Sequence, residues 1–127
     1  MPQFFHHKLL VYQKALAFIL SSDHVVAGWP RERLYLVIQF RKAASSIALN
    51  IAEASHEIAT ADRRRIFRYA RRSAGECVAV FDIAVGFKLM TECDAAPYYD
   101  QLNEIIAMLT SITKPKRTSI TKPKRKK

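Results

Sequence analysis

The chain has 127 residues, half of them apolar, with two cysteines and a formal net charge of +10. That length suits one domain with its own core, and no apolar run approaches the roughly 18 residues needed to cross a bilayer. With no secretory pattern in MPQFFHHKLL, a cytoplasmic protein with no membrane partner is expected. The charge is unevenly placed: residues 1–110 carry thirteen Lys and Arg against eleven Asp and Glu, whereas residues 111–127 carry eight Lys and Arg and no acid. A nearly balanced body therefore precedes a polycation.

From Phe5 to about Ala27, apolar residues at Leu9, Tyr12, Leu16, Ile19 and Leu20 recur at helical spacing and predict a first amphipathic helix. Gly28-Trp29-Pro30 should stop it, with Gly28 in the left-handed position after a helix and Trp29 stapling the corner. The second helix is predicted from near Arg31 to about Glu57. Its segment Leu34 to Ala54 has fourteen apolar residues of twenty-one and no Pro or Gly. At one hundred degrees per residue, Tyr35, Gln39, Lys42, Ser46, Asn50 and Glu53 form a narrow polar stripe, with Arg41 and Ser45 outside it. So wide an apolar arc is normally covered on several sides, and packing against copies of the same chain is expected.

Thr60 is a candidate N-cap with Asp62 in the first turn, opening a third helix to about Thr91. One side of it holds Ile66, Phe67, Ala70, Ala74, Cys77, Phe81, Ala84 and Val85. The other carries arginines. Gly75 and Gly86 inside it suggest either close helix approach or a bend. Asp94 to Pro97 should start a fourth helix bearing Leu102, Ile105, Ile106, Leu109 and Ile112. The predicted fold is an all-α, antiparallel up-down four-helix bundle over residues 1–112. Residues 113–127 form a basic tail built from the repeat SITKPKRT, SITKPKRK and a final Lys, read as disordered in isolation. On this layout Cys77 and Cys93 lie on one helix about 24 Å apart and cannot pair.

Three groups are candidate sites. Arg63, Arg64, Arg65, Arg68, Arg71 and Arg72 present guanidinium forks suited to phosphate; the alternative is a solvated face paired with acids of a neighbouring helix. In the tail, Lys114, Lys116, Arg117, Lys122, Lys124, Arg125, Lys126 and Lys127 could hold a nucleic acid loosely or simply solubilise the protein. Gln39, Arg41, Lys42, Ser46, Asn50 and Glu53 would form a hydrogen-bonded network fixing helix register or a subunit contact, or alternatively line a ligand site. The expected nucleic-acid mode is phosphate contact, since no helix-turn-helix or zinc-finger pattern is present and the aromatics form no recognisable single-strand motif.

Residues QFRKAASSIALNIAEA, preceded by WPRERLYLVI and followed by FRYARRSAGECVAVFDIA, resemble the small bundle proteins encoded in intervening sequences of bacterial 23S rRNA genes. The family's second-helix pattern falls on Gln39, Arg41, Lys42, Ala43, Ser46, Ile47, Asn50, Ile51, Ala52, Glu53 and Ala54, departing at Lys42 and Ala54. Its following G-S-x-x-E segment becomes Arg72, Ser73 and Glu76. The resemblance implies an antiparallel bundle assembling as a ring, a homopentamer, with no established enzymatic activity. More distantly, the chain looks like accessory proteins of diversity-generating retroelements, which would imply RNA and a reverse transcriptase as partners.

No enzyme, metal or cofactor is expected. Glu53-x-x-His56 has the spacing of ferritin-like ligands, but such sites need a second pair and further inward Glu. His6 and His7 are adjacent and should point apart on a helix, His24 has no ligand-like neighbour except Asp23, and nucleophile elbows and phosphate-binding glycine loops are absent. The expected function is a non-catalytic, ring-forming bundle that binds RNA or DNA. The competing class is a protein-interaction module meeting an acidic protein partner.

Overall fold

Four helices account for most of the computed structural model, which describes residues 3–115: α1 (Leu10–Ala27), α2 (Leu34–Ser55), α3 (Thr60–Gly86) and α4 (Glu92–Thr113), with short 3-10 turns at Phe5–Lys8 and Arg31–Arg33. Their cross-links run in opposite senses, as antiparallel neighbours require. Gln39 and Ser46 of α2 meet Glu76 and Ser73 of α3; Asp82 and Arg71 of α3 meet Tyr99 and Thr113 of α4; and Lys14 and Ser21 of α1 meet Glu104 and Gln101 of α4. Each helix packs on the two beside it, the α2–α3 seam being the most extensive. The architecture is thus an up-down bundle.

The core follows helical periodicity. From α2, Leu36, Val37, Phe40, Ala43, Ala44, Ile47, Ala48, Ile51 and Ala54 are buried, and they face Ile66, Phe67, Ala70, Ala74, Cys77, Val80, Phe81 and Ala84 of α3. At its centre Phe81 lies 4.9 Å from Phe40, 6.5 Å from Phe18 and 6.3 Å from Trp29, ring to ring. Aromatic pairs at such separations add to burial through offset and edge-to-face geometry. Trp29 is buried as expected, although its indole N–H has no partner among the described residues.

Several boundaries differ from expectation, each for a local reason. Leu9 is extended, at φ −79° and ψ 124°, so residues 5–8 form a separate turn and α1 begins at Leu10. The fully buried face of α1 is Val11, Ala15, Phe18, Ser22 and Val26; of the predicted stripe, Leu9, Tyr12 and Ile19 are half-buried against the core, while Leu16 and Leu20 stay exposed. Two apolar stripes compete on this helix, and the one holding Phe18 is chosen because Phe18 reaches the aromatic centre. Gly28 is not left-handed: at φ −86° it continues the turn, its N–H donating to Val25 O while Trp29 N–H donates to Val26 O. Arg31–Arg33 form a 3-10 turn before α2, which ends at Ser55. Ala59, not Thr60, is the N-cap of α3, without a side-chain bond. Neither Gly75 nor Gly86 marks a close approach, since a Cβ at either would meet nothing within 4 Å.

The largest departure is the end of α3, which stops at Gly86 rather than Thr91. Leu89 N–H donates to Ala84 O at 2.8 Å and Lys88 N–H to Val85 O at 3.0 Å, the 6→1 and 5→2 pair that closes a Schellman end. Lys88 holds the left-handed position, at φ 63°. Thr91 then caps α4, its hydroxyl accepting the Asp94 N–H at 2.9 Å. This turn puts Cys93 on α4, exposed, and leaves Cys77 buried on α3; desolvation, helped by Glu76, pushes the Cys77 thiol up to about 12. No helix among the described residues is long and apolar enough to cross a membrane.

Left-handed backbone costs an ordinary L-residue on the order of 1 kcal/mol and glycine almost nothing. Lys88→Gly should therefore raise the unfolding free energy by up to about 1 kcal/mol in urea titration with an unchanged slope. A neutral or destabilising result would show that the Lys88 side chain contributes elsewhere.

Candidate functional site

The packing of α3 decides where its arginines go. With Ile66, Phe67, Ala70 and Ala74 turned into the bundle, the residues between them must face outward. Arg63 folds back to donate from Nε to Glu57 O at 3.1 Å and from Nη2 to Ile58 O at 3.4 Å, closing the α2–α3 turn. Arg65 pairs with Asp62 at 3.3 Å and donates to Tyr69 Oη at 3.2 Å, so its guanidinium is held above its ordinary value, first by the Tyr69 bond and then by Asp62. Arg72 lies over the Tyr69 ring at 5.5 Å, and half-buried Arg71 donates to the Thr113 hydroxyl at 3.3 Å. Arg64 and Arg68 make no hydrogen bond or ion pair among the described residues. Of the six arginines only Arg65 meets a carboxylate there, so the face keeps its positive charge.

Lys114 follows α4 directly and sits at the same end of the bundle as Arg63 and Arg64, all three lining one cavity. Thr113 itself is buried, its hydroxyl donating to Leu109 O at 2.9 Å, so the helical body extends one residue beyond the expected boundary. Lys116, Arg117, Lys122, Lys124, Arg125, Lys126 and Lys127 lie outside the described residues.

The polar stripe of α2 does not act as one group. Gln39 donates to Glu76 and Ser73 Oγ lies 2.9 Å from Ser46 Oγ, so Gln39 and Ser46 tie α2 to α3, while Asn50 Nδ2 donates back within α2 to Ser46 O and Ser46 Oγ, both at 2.9 Å. Arg41 turns the other way, forming a two-pronged pair with Asp23 of α1 at 2.7 and 3.2 Å. Lys42 and Glu53 are exposed. Beside Arg41, α2 leaves Leu34, Ile38 and Leu49 uncovered, at 52, 59 and 69% exposure.

Two further groupings were not foreseen. The opposite end of the bundle is acidic: a cavity of about 440 Å³ there is lined by Asp82, Glu92, Asp100 and Tyr99. Tyr99 donates to Asp82 at 2.6 Å, and its phenol is pushed up to about 12 by desolvation, then by that bond. At the arginine end, His6 and His7 do not point apart. Their rings sit 4.4 Å centre to centre, and His6 Nδ1 lies 3.0 Å from His56 Nε2. The 3-10 turn brings the two rings together, and a contact fifty residues long in sequence has no local signal. Among the described residues no three His, Cys, Asp or Glu side chains group as metal ligands.

A small antiparallel helical bundle with one cationic helix face is thus the class defined by fold and surface. The family model for the 23S rRNA-intervening sequence protein matches residues 7–111, and the chain belongs to that family. No curated protein matches it.

The histidine contact is sensitive to pH. The His6 imidazole is held below its ordinary value of 6.5, first by desolvation and then by repulsion from His7 and His56. The unfolded chain therefore binds this proton more readily, so the contribution to stability is complete above about pH 6.5 and is lost as pH falls through the folded value. Lowering the pH from about 7.5 to 5 should reduce the amide protection factors of residues 5–9, taken against the intrinsic exchange rate at each pH, ahead of those of the helices. His56→Gln should flatten that dependence. Protection factors that ignore pH in the parent chain would contradict the coupling.

Proposed function

We propose that the chain is a non-catalytic, self-assembling bundle that binds nucleic acid through the outer face of α3 and its basic C-terminal residues. One observation carries the reading: of Arg63, Arg64, Arg65, Arg68, Arg71 and Arg72, only Arg65 spends charge on a carboxylate among the described residues. A cationic face whose purpose was internal would be paired; one left open attracts a polyanion. Guanidinium groups along α3 from Arg64 to Arg72 span about 12 Å and offer forks matched to phosphate oxygens. The contacts are to backbone rather than base sequence, so binding follows counterion release.

Self-assembly is supported by a separate surface. The exposed Leu34, Ile38 and Leu49 of α2 lie on the side that carries Arg41, and Leu16 and Leu20 of α1 share the stripe of its partner Asp23. Apolar residues so grouped around an ion pair suit a subunit contact, and five copies is the number the family resemblance implies.

Mobility shift with structured RNA, duplex DNA and an acidic polypeptide tests the binding. Duplex affinity should fall with salt at a log-log slope of about 0.9 per phosphate neutralised, and changing Arg64 and Arg68 to Gln should reduce that slope by nearly two. Binding that ignores salt would sink the proposal, and equal retardation of the acidic polypeptide would favour a protein partner. For assembly, light scattering should give a multiple of the 14.5 kDa chain mass, and Ile38→Glu with Leu49→Glu should give a monomer of unchanged helicity. A monomeric parent chain would refute the ring.

A further inference from the structure

At the arginine end lies a cavity of about 570 Å³, within the range of about 300–1,000 Å³ typical of ligand pockets. Its apolar lining comes from Phe5, Leu9, Phe67, Ile112 and Pro115, and its cations from Arg63, Arg64 and Lys114. Phe67 is buried and Phe5 is 58% exposed, so one ring forms part of the floor and the other part of an accessible wall. Arg63 spends two of its five N–H donors on backbone carbonyls, leaving the rest for a ligand. Ser55, Thr60 and Ser111 also line this space, the Ser55 hydroxyl donating to Ala52 O at 2.7 Å, and no Asp or Glu lines it.

We propose that this cavity receives one unstacked base of a single-stranded nucleic acid, whose flanking phosphates rest on Arg63, Arg64 and Lys114. The inference rests on the nucleic-acid reading above and specifies the form of the ligand. A base has a π-face for Phe5 and polar edges for the hydroxyls of Thr60 and Ser111, while the strand supplies anions to a rim without carboxylates. A duplex keeps its bases stacked and paired and cannot fill the space. Residues 116–127 contain seven Lys and Arg and no acid, so their charge repels this cationic rim where a nucleic acid complements it. The two phenylalanines stand sixty-two positions apart, so no linear motif announces them.

The full chain is titrated at one salt concentration with a twelve-nucleotide single strand, the same strand made abasic, and a duplex of equal phosphate number. Base stacking contributes roughly 5- to 150-fold per base, so the intact strand should bind at least about fivefold more tightly than the abasic strand or the duplex. Phe5→Ala, which removes the accessible ring, and Ser111→Trp, which fills the space, should each abolish that preference while leaving duplex affinity unchanged. Anilinonaphthalene sulfonate bound to the parent chain should be displaced by the intact strand and not by the abasic one. Equal affinity for intact and abasic strands, a preference that survives both variants, or dye retained at saturating strand would each overturn the proposal, the last assigning the space to a small amphiphilic anion. Salt-dependent binding of all three nucleic acids without discrimination would overturn this inference alone. Absence of any salt-dependent binding would overturn the nucleic-acid reading with it.

Discussion

The seam between α2 and α3 is the constraint on which the rest of the molecule depends. Ala43, Ala44 and Ala48 of α2 and Ala70 and Ala74 of α3 are all buried along the most extensive helix pair of the bundle, and residues this small let two helices lie close. Closeness has two results. It brings Gln39 and Ser46 within hydrogen-bonding reach of Glu76 and Ser73, where polar groups at the seam edge fix the register that apolar contacts alone leave loose. It also commits one side of α3 to the interior, so the arginines interleaved with those alanines have nowhere to point but outward.

Much of this was legible from the amino acids. The number and order of helices follow from the 3.6-residue period of large apolar side chains, and the inward side of α3 was readable because arginines occupy the complementary positions and leave no second choice. On α1 the period was ambiguous. Leu16 and Leu20 compete with Val11, Phe18 and Val26, and the winner was set by the aromatic cluster around Phe81, to which all four helices and the α1–α2 corner contribute. The end of α3 was hidden for another reason: a lysine occupies a position where glycine is the usual signal, while the apolar Leu89 and Met90 beyond it prolong the helical pattern. The glycines that did appear, Gly75 and Gly86, occupy open helical surface.

The candidate site divides in the same way. The arginines of α3 could be found because they are close together in sequence. The His6–His56 contact, the Phe5–Phe67 cavity and the acidic group of Asp82, Glu92 and Asp100 join residues separated by helices and loops, so only the fold assembles them. The stripe of α2 shows the converse: residues adjacent on a helical projection serve different neighbours, Gln39 and Ser46 tying to α3 while Arg41 ties to α1.

Cavities at the two ends of α3 and α4 are lined by opposite charge, with Arg63, Arg64 and Lys114 at one and Asp82, Glu92 and Asp100 at the other. Eighteen helical residues, about 27 Å, separate Arg64 from Asp82, a distance beyond the screening length of about 8 Å at physiological salt. The two groups are therefore screened from each other, and each presents its own local field to solvent. A charged group reaching one end of the bundle meets the potential of that end with little opposition from the other.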